Sequence, residues 1–239
     1  MNVQLREPTF LMGDNHGKLV VLENLLQRNV FPNHSDIIVL GDCGLMFTQF
    51  PPAYLRIDEV LAKQDIRLFL LRGNHDNPDF FIPENNLSHV LLLPDLCKLS
   101  YKGKSGLVYP GAVSIDRSER MIENFPWFEN EEVPSPDDVP NDEVDFILSH
   151  GGICPPDYVA TGYAKASRWV PYDDKLVADI DAEQLKYRQV VEKTKVKYMF
   201  YGHFHISRTF PEFDASNRIA RYFNILDIDE VRELRFPSL

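Results

Sequence analysis

Apolar residues along the chain fall into short runs that alternate with amphipathic stretches. Asp36 to Leu40 (DIIVL) is apolar throughout its last residues and stops at Gly41, the pattern of a strand buried on both faces. Ile66 to Leu71 (IRLFLL) repeats it and stops before Gly73, and Val144 to Leu148 and Val196 to Tyr201 do the same further on. Pro8 to Gly13 reads as a strand ending in a Gly-Asp turn. Between these runs, Leu19 to Gln27 places Leu19, Leu22, Leu25 and Leu26 on one helical face, and Tyr54 to Ala62 has similar spacing. The opening third therefore predicts β-α-β-α-β.

After His89 the pattern shortens. Val90 to Leu93, Leu96 to Tyr101 and Leu107 to Ser114 predict short strands, with a turn over Lys102 to Gly106. Residues from about 115 to 142, rich in acids, Pro and Trp/Phe, predict a surface excursion, and residues 151 to 174 a second one. Ala182 to Lys193 predicts a helix, and the tail from Arg208 to Phe236 short strands. No linker or repeat interrupts the chain, so a single domain over residues 1–239 is expected. The expected fold class is α/β: two mixed β-sheets packed face to face as a sandwich with flanking helices.

Composition adds boundaries. With 44% hydrophobic and 26% charged residues the chain can bury a sizeable core. No apolar run approaches the ~20 residues that span a bilayer, and Met1 to Arg6 lacks a basic-then-apolar export pattern. The three cysteines, Cys43, Cys97 and Cys154, lack close spacing, which fits a reducing compartment. A cytoplasmic protein without membrane partners is expected. The net charge of −11 argues against a long nucleic-acid partner, whose backbone requires clustered Lys and Arg, and leaves small phosphorylated or nucleotide substrates.

Polar chemistry concentrates where the predicted strands end. Gly13-Asp14-Asn15-His16-Gly17, Gly41-Asp42, Gly73-Asn74-His75-Asp76, His150-Gly151-Gly152 and Gly202-His203-Phe204-His205 each follow such a run. Alone, an Asp-x-His or His-x-His is usually a turn element. Together they gather at the carboxyl ends of strands, where α/β sheets place their sites. Deeply placed Asp, Asn and His cost several kcal/mol unless paired or coordinated, and metal ligation removes that cost. Without a thiolate cluster a structural zinc site is not indicated. Imidazole, carboxylate and amide oxygen suit manganese first, with iron, zinc, cobalt or nickel as alternatives. The candidate ligands Asp14, His16, Asp42, Asn74, His150, His203 and His205 outnumber what one ion needs, so two divalent ions about 3.5–4 Å apart are expected.

This ordered set resembles the calcineurin-like metallophosphoesterase superfamily, with every motif present from Asp14 to His205. The resemblance implies the calcineurin-like fold. It also implies one metal on Asp14, His16 and His205, a second on Asn74, His150 and His203, and Asp42 between them. It gives His75 a catalytic role on the substrate phosphate or leaving oxygen, with Asp76 orienting it. The expected reaction is phosphoester hydrolysis by a metal-bridging hydroxide attacking phosphorus in line. The second motif lacks the Asp-Arg-Gly extension of the protein Ser/Thr phosphatases, and Gly202-His-x-His205 is closer to phosphodiesterase branches. A phosphodiesterase on nucleotide, cyclic nucleotide or other small diesters is therefore expected, with a phosphomonoesterase or protein phosphatase as alternative and a non-catalytic scaffold as the alternative of another class.

Gly111 to Arg120 followed by Trp127 to Glu131 resembles short bacterial and viral members of this group. Arg117 and Arg120 are well-formed phosphate binders, or else partners for Glu119, Glu123 and Glu131 nearby. Tyr158, Tyr163, Trp169 and Tyr172, with Arg168, are either base-stacking residues or cover for a sheet edge.

Overall fold

The computed structural model describes residues 1–237, without the side chains of residues 160, 161 and 163. The strands are β1 (Asn2–Gln4), β2 (Thr9–Met12), β3 (Asp36–Leu40), β4 (Arg67–Leu71), β5 (Val90–Leu92), β6 (Lys98–Tyr101), β7 (Lys104–Tyr109), β8 (Phe146–Ser149), β9 (Tyr198–Tyr201), β10 (Arg208–Phe213), β11 (Ile219–Ile225) and β12 (Val231–Glu233). The α-helices are α1 (Val20–Gln27), α2 (Pro52–Gln64), α3 (Arg117–Ile122), α4 (Val159–Ala166) and α5 (Leu176–Thr194). A five-stranded sheet runs β12-β2-β3-β4-β5 and a seven-stranded sheet β1-β6-β7-β8-β9-β11-β10. Strands β2 to β5 are mutually parallel, as are β7, β8, β9 and β11. Each sheet carries antiparallel partners, β12 in one, β6 and β10 in the other, which makes both mixed.

The apolar runs are continuous because each strand is covered twice. Ile38 and Leu40 of β3, and Phe69 and Leu71 of β4, meet Phe146 and Leu148 of β8 and Phe200 of β9 between the sheets. The alternate residues Ile37, Val39, Leu68 and Leu70 pack outward against Leu22 and Leu26 of α1 and Ile57 and Leu61 of α2. On the other outer face, Ile147, Met199 and Tyr201 pack against Tyr187, Val190 and Val191 of α5. The result is a helix-covered α/β sandwich, with buried side chains alternating between two partners at the strand period.

Several elements differ from the expected boundaries. The strand expected over Leu107 to Ser114 ends at Tyr109, because Pro110 has no N–H for a ladder and Gly111 turns away at φ 87. The segment expected as a surface excursion from about 115 to 142 includes helix α3 and is tied inward. Arg72 is buried, forks onto Asp95, and donates to the Glu131 and Glu132 carbonyls at 2.8 and 2.9 Å. The second excursion contains α4. Strand β1 was not anticipated, since only Val3 of its residues is buried and an edge strand this short leaves no alternation to read.

Candidate metal centre

Five strands deliver the polar motifs to one rim. Asp14 lies just beyond β2, Asp42 beyond β3, Asn74 beyond β4, His150 directly after β8 and His203 just beyond β9. Glycine permits the approach of these loops. Gly41 has φ 94, and a Cβ there would lie 2.3 Å from His150 Nδ1. A Cβ at Gly202 would lie 1.8 Å from Asp14 Oδ1. His16, Asp42, His203 and His205 are themselves held at φ between 47 and 64. That left-handed region costs a side-chain-bearing residue energy, so the surrounding structure must hold it.

The candidate ligands converge. Asp14 accepts the His203 N–H at 3.0 Å, and its Oδ2 lies 3.3 Å from His205 Nε2. His16 Nε2 and His205 Nε2 face each other at 3.2 Å. Asp42 Oδ2 is 3.5 Å from His16 Nδ1, while its Oδ1 is 3.4 Å from His150 Nε2. The rings of His150 and His203 stand edge to face at 5.0 Å. Two side-chain groups bring all their ligating atoms within 4.8 Å of one another: Asp14, His16 and His205, and Asp14, Asp42 and His150.

The donor set fits cations. His150 Nδ1 lies 2.8 Å from the Leu40 carbonyl, so it carries the proton and leaves an Nε2 lone pair. That lone pair faces Asn74 Oδ1 at 2.9 Å, an oxygen that is also only an acceptor. The pair is satisfied by a second proton on His150 or by a cation between them. Burial works against a charge on His150, but Asp42, Asp14 and the Leu40 carbonyl outweigh it and lift its pKa to about 10. Burial, reinforced by His150, holds His203 down at about 3, and burial lowers His16. Burial likewise opposes charge on Asp42, yet the neighbouring His150, His75 and His16 keep its carboxylate well below the usual range. Cation binding requires carboxylates ionised and imidazoles neutral; the shifts of Asp42, His203 and His16 lie in that direction, and a cation would replace the second proton of His150.

His75 donates its backbone N–H to Asp42 Oδ1 at 2.9 Å and sets its ring edge to face against His16, 5.6 Å between centroids. Asp76 turns the other way. Its carboxylate accepts the N–H groups of Gly73, Cys43 and Leu45 at 2.8, 3.0 and 2.9 Å. Cys43 is buried with its thiol 3.3 Å from the Leu71 carbonyl, and burial pushes its pKa well up, so it is a neutral neighbour. Ser114 and Glu131, noted in the sequence only within the Gly111–Arg120 and Trp127–Glu131 stretches, stand behind Asn74: its amide nitrogen donates to Ser114 Oγ at 2.8 Å, and Ser114 is held by Glu131. A lone Ser after a strand carries no sequence signal.

The candidate phosphate-binding arginines have protein partners. Arg117 is paired with Asp173 and Asp179, and Arg120 is buried against Ser114 Oγ and the Pro126 carbonyl. Arg168 pairs with Glu119, as does the Trp169 indole N–H. Tyr172 is exposed; the Tyr163 side chain lies outside the described residues. Tyr158 lines a cleft of about 350 Å³ with His203, Phe204, Ile115 and Glu183. A second cleft, about 320 Å³, is lined by His16, His75, Met46, Asp116, Glu119 and Phe125. No helix among the described residues is long and apolar enough to cross a membrane.

Compared with known proteins, residues 8–207 match the family model described as Calcineurin-like phosphoesterase. No curated protein matches the chain.

Proposed function

The chain belongs to the calcineurin-like phosphoesterase family, and from that premise we propose that it is a metal-dependent phosphodiesterase for small substrates, nucleotides and cyclic nucleotides among them. The family makes it a phosphoester hydrolase; the diester preference is our reading. Two clefts that share no lining residue among the described residues carry it, one bordered by His16 and His75 and the other by His203. A diester has two substituents on phosphorus, and each cleft has room for one. In the His75 cleft Glu119 is paired with Arg168 and the Arg120 guanidinium is turned to Ser114 and the Pro126 carbonyl, so Asp116 and Glu123 leave a negative lining that favours the singly charged diester over a doubly charged monoester.

On this reading Asp14, His16 and His205 would hold one divalent ion, and Asn74, His150 and His203 the other. Asp42 offers an oxygen to each, and manganese suits the mixed donors. Bound cations supply neutralisation of the phosphoryl oxygens and an acidified water. His75, at the wall of its cleft, is placed to give a proton to the departing ester oxygen, the role an imidazole fills near neutral pH. Asp76 serves through the backbone, holding the loops of Asp42 and Asn74 together.

The test is hydrolysis of bis-p-nitrophenyl phosphate and p-nitrophenyl phosphate by the manganese-loaded protein. We expect kcat/KM for the diester to exceed the monoester value by about tenfold or more, roughly 1.4 kcal/mol of preference. A faster monoester rate would return the protein to the phosphomonoesterase alternative.

A further inference from the structure

We propose that Ser114 and Glu131 are positioning residues that fix which end of the Asn74 amide faces the metal centre. The proposal rests on the reading of Asn74 as a ligand to the second ion.

An asparagine amide has two ends of nearly the same shape, and only its carbonyl end can ligate a cation. Shape alone therefore does not prevent Asn74 from presenting its NH2 to His150. The hydrogen-bond network behind it does. Burial lifts the Glu131 carboxyl to about 7, against the Ser114, Trp127 and Arg120 groups that favour its charge, and in its ionised form it only accepts. Its Oε1 takes the Ser114 backbone N–H at 2.8 Å and its Oε2 takes the Ser114 hydroxyl proton at 2.7 Å. Arg120 Nη1, which only donates, occupies one lone pair of Ser114 Oγ at 3.0 Å. The hydroxyl has spent its proton, so it offers Asn74 a lone pair and nothing else. The amide nitrogen must lie on that side, 2.8 Å away, and Oδ1 is thereby turned to His150 Nε2 at 2.9 Å.

The frame holding this network is rigid and buried. Ser114, Arg120 and Glu131 are all nearly inaccessible. Arg72, in the loop that carries Asn74, grips the Glu131 carbonyl while forked onto Asp95. On the other side, Glu183 of α5 accepts the Val113 N–H at 2.6 Å. Carboxyl groups from two directions thus hold consecutive amides of the loop bearing Ser114. Groups that orient a ligand in this way commonly change metal affinity by about 10–100-fold when removed.

Manganese titration by calorimetry tests the proposal without relying on turnover. The wild type should bind two ions. Ser114→Ala and Glu131→Gln should weaken one site about 10–100-fold and leave the other within about threefold, while Ser114→Thr, which keeps the hydroxyl, should stay within about threefold at both. Glu131→Gln nearly preserves size and lets an amide donate to Ser114, so it covers the case in which Ser114→Ala does not fold. In an Asn74→Asp background, Ser114→Ala should add less than about threefold, because a carboxylate presents oxygen whichever way it turns. Wild-type affinity at both sites in Ser114→Ala or Glu131→Gln would overturn the proposal, as would an equal loss in the Asn74→Asp background. A wild type that binds fewer than two ions would instead bring down the dinuclear reading on which it stands.

Discussion

The carboxylate of Asp76 accepts the backbone N–H of Cys43 at 3.0 Å, joining the loop after β4 to the loop after β3. With Gly73 and Leu45 as its other donors, a single buried side chain closes the turns that present Asp42 and Asn74. Asp76→Ala leaves three N–H groups without that partner, at about 1–3 kcal/mol each. We expect Tm to fall by roughly 10 °C and manganese affinity to fall with it. A variant that loses kcat while keeping wild-type Tm and metal affinity would assign Asp76 a direct role in the chemistry instead.

His75 is expected to matter in proportion to the basicity of the departing oxygen. A nitrophenolate leaves without a proton; an alkoxide does not. His75→Ala should cost about 10²–10⁴ in kcat on diesters with alkyl leaving groups and about tenfold or less on p-nitrophenyl esters. Equal losses on both series would show that His75 binds the phosphoryl group and does not protonate the leaving oxygen.

The parts of this molecule that were legible in the sequence are those that repeat a local rule. Ile37 to Leu40 is apolar at every position because both faces of β3 are covered, and Asp42 comes at the end of such a run. The motif residues could be gathered because the parallel strands all point them at one rim. Ser114 and Glu131 follow no such rule. They bond to each other across 17 residues of chain, and the Glu131 carbonyl is held by Arg72, 59 residues away; neither contact follows from a local pattern. Arg117 shows the same limit: its partners Asp173 and Asp179 lie 56 and 62 residues away.

Folding stability should decline as pH rises through the neutral range, with Glu183 a main cause. Burial pushes its carboxyl up from 4.5 to about 8, against the Val113 N–H and the charge of His150. Between those values the folded protein keeps a proton that the unfolded chain has released, so the stability slope with pH is negative there and flattens above about 8. Glu183→Gln keeps an oxygen for Val113 and removes the titration. The Tm of the variant relative to wild type should therefore increase from pH 5 to pH 8, by several degrees. Parallel Tm profiles for the two proteins would rule out the buried proton.

Two glycine-to-alanine changes separate close approach from mere glycine content. At Gly202 a new Cβ would sit 1.8 Å from Asp14 Oδ1 and 3.4 Å from the Leu40 carbonyl. Since Asp14 is pinned by the His203 N–H at 3.0 Å, accommodating the methyl must move a candidate ligand or the strand end beneath it. Overpacking of this kind costs typically about 1–3 kcal/mol, and manganese affinity should fall with Tm. At Gly162, inside α4, a Cβ meets nothing within 4 Å among the described residues. There alanine should raise helix stability by about 0.5–1 kcal/mol and leave manganese binding unchanged. Thermal melts and manganese titrations of both variants check the contrast. Unchanged metal affinity in Gly202→Ala would mean that Asp14 can shift without loss, and would weaken its assignment as a ligand.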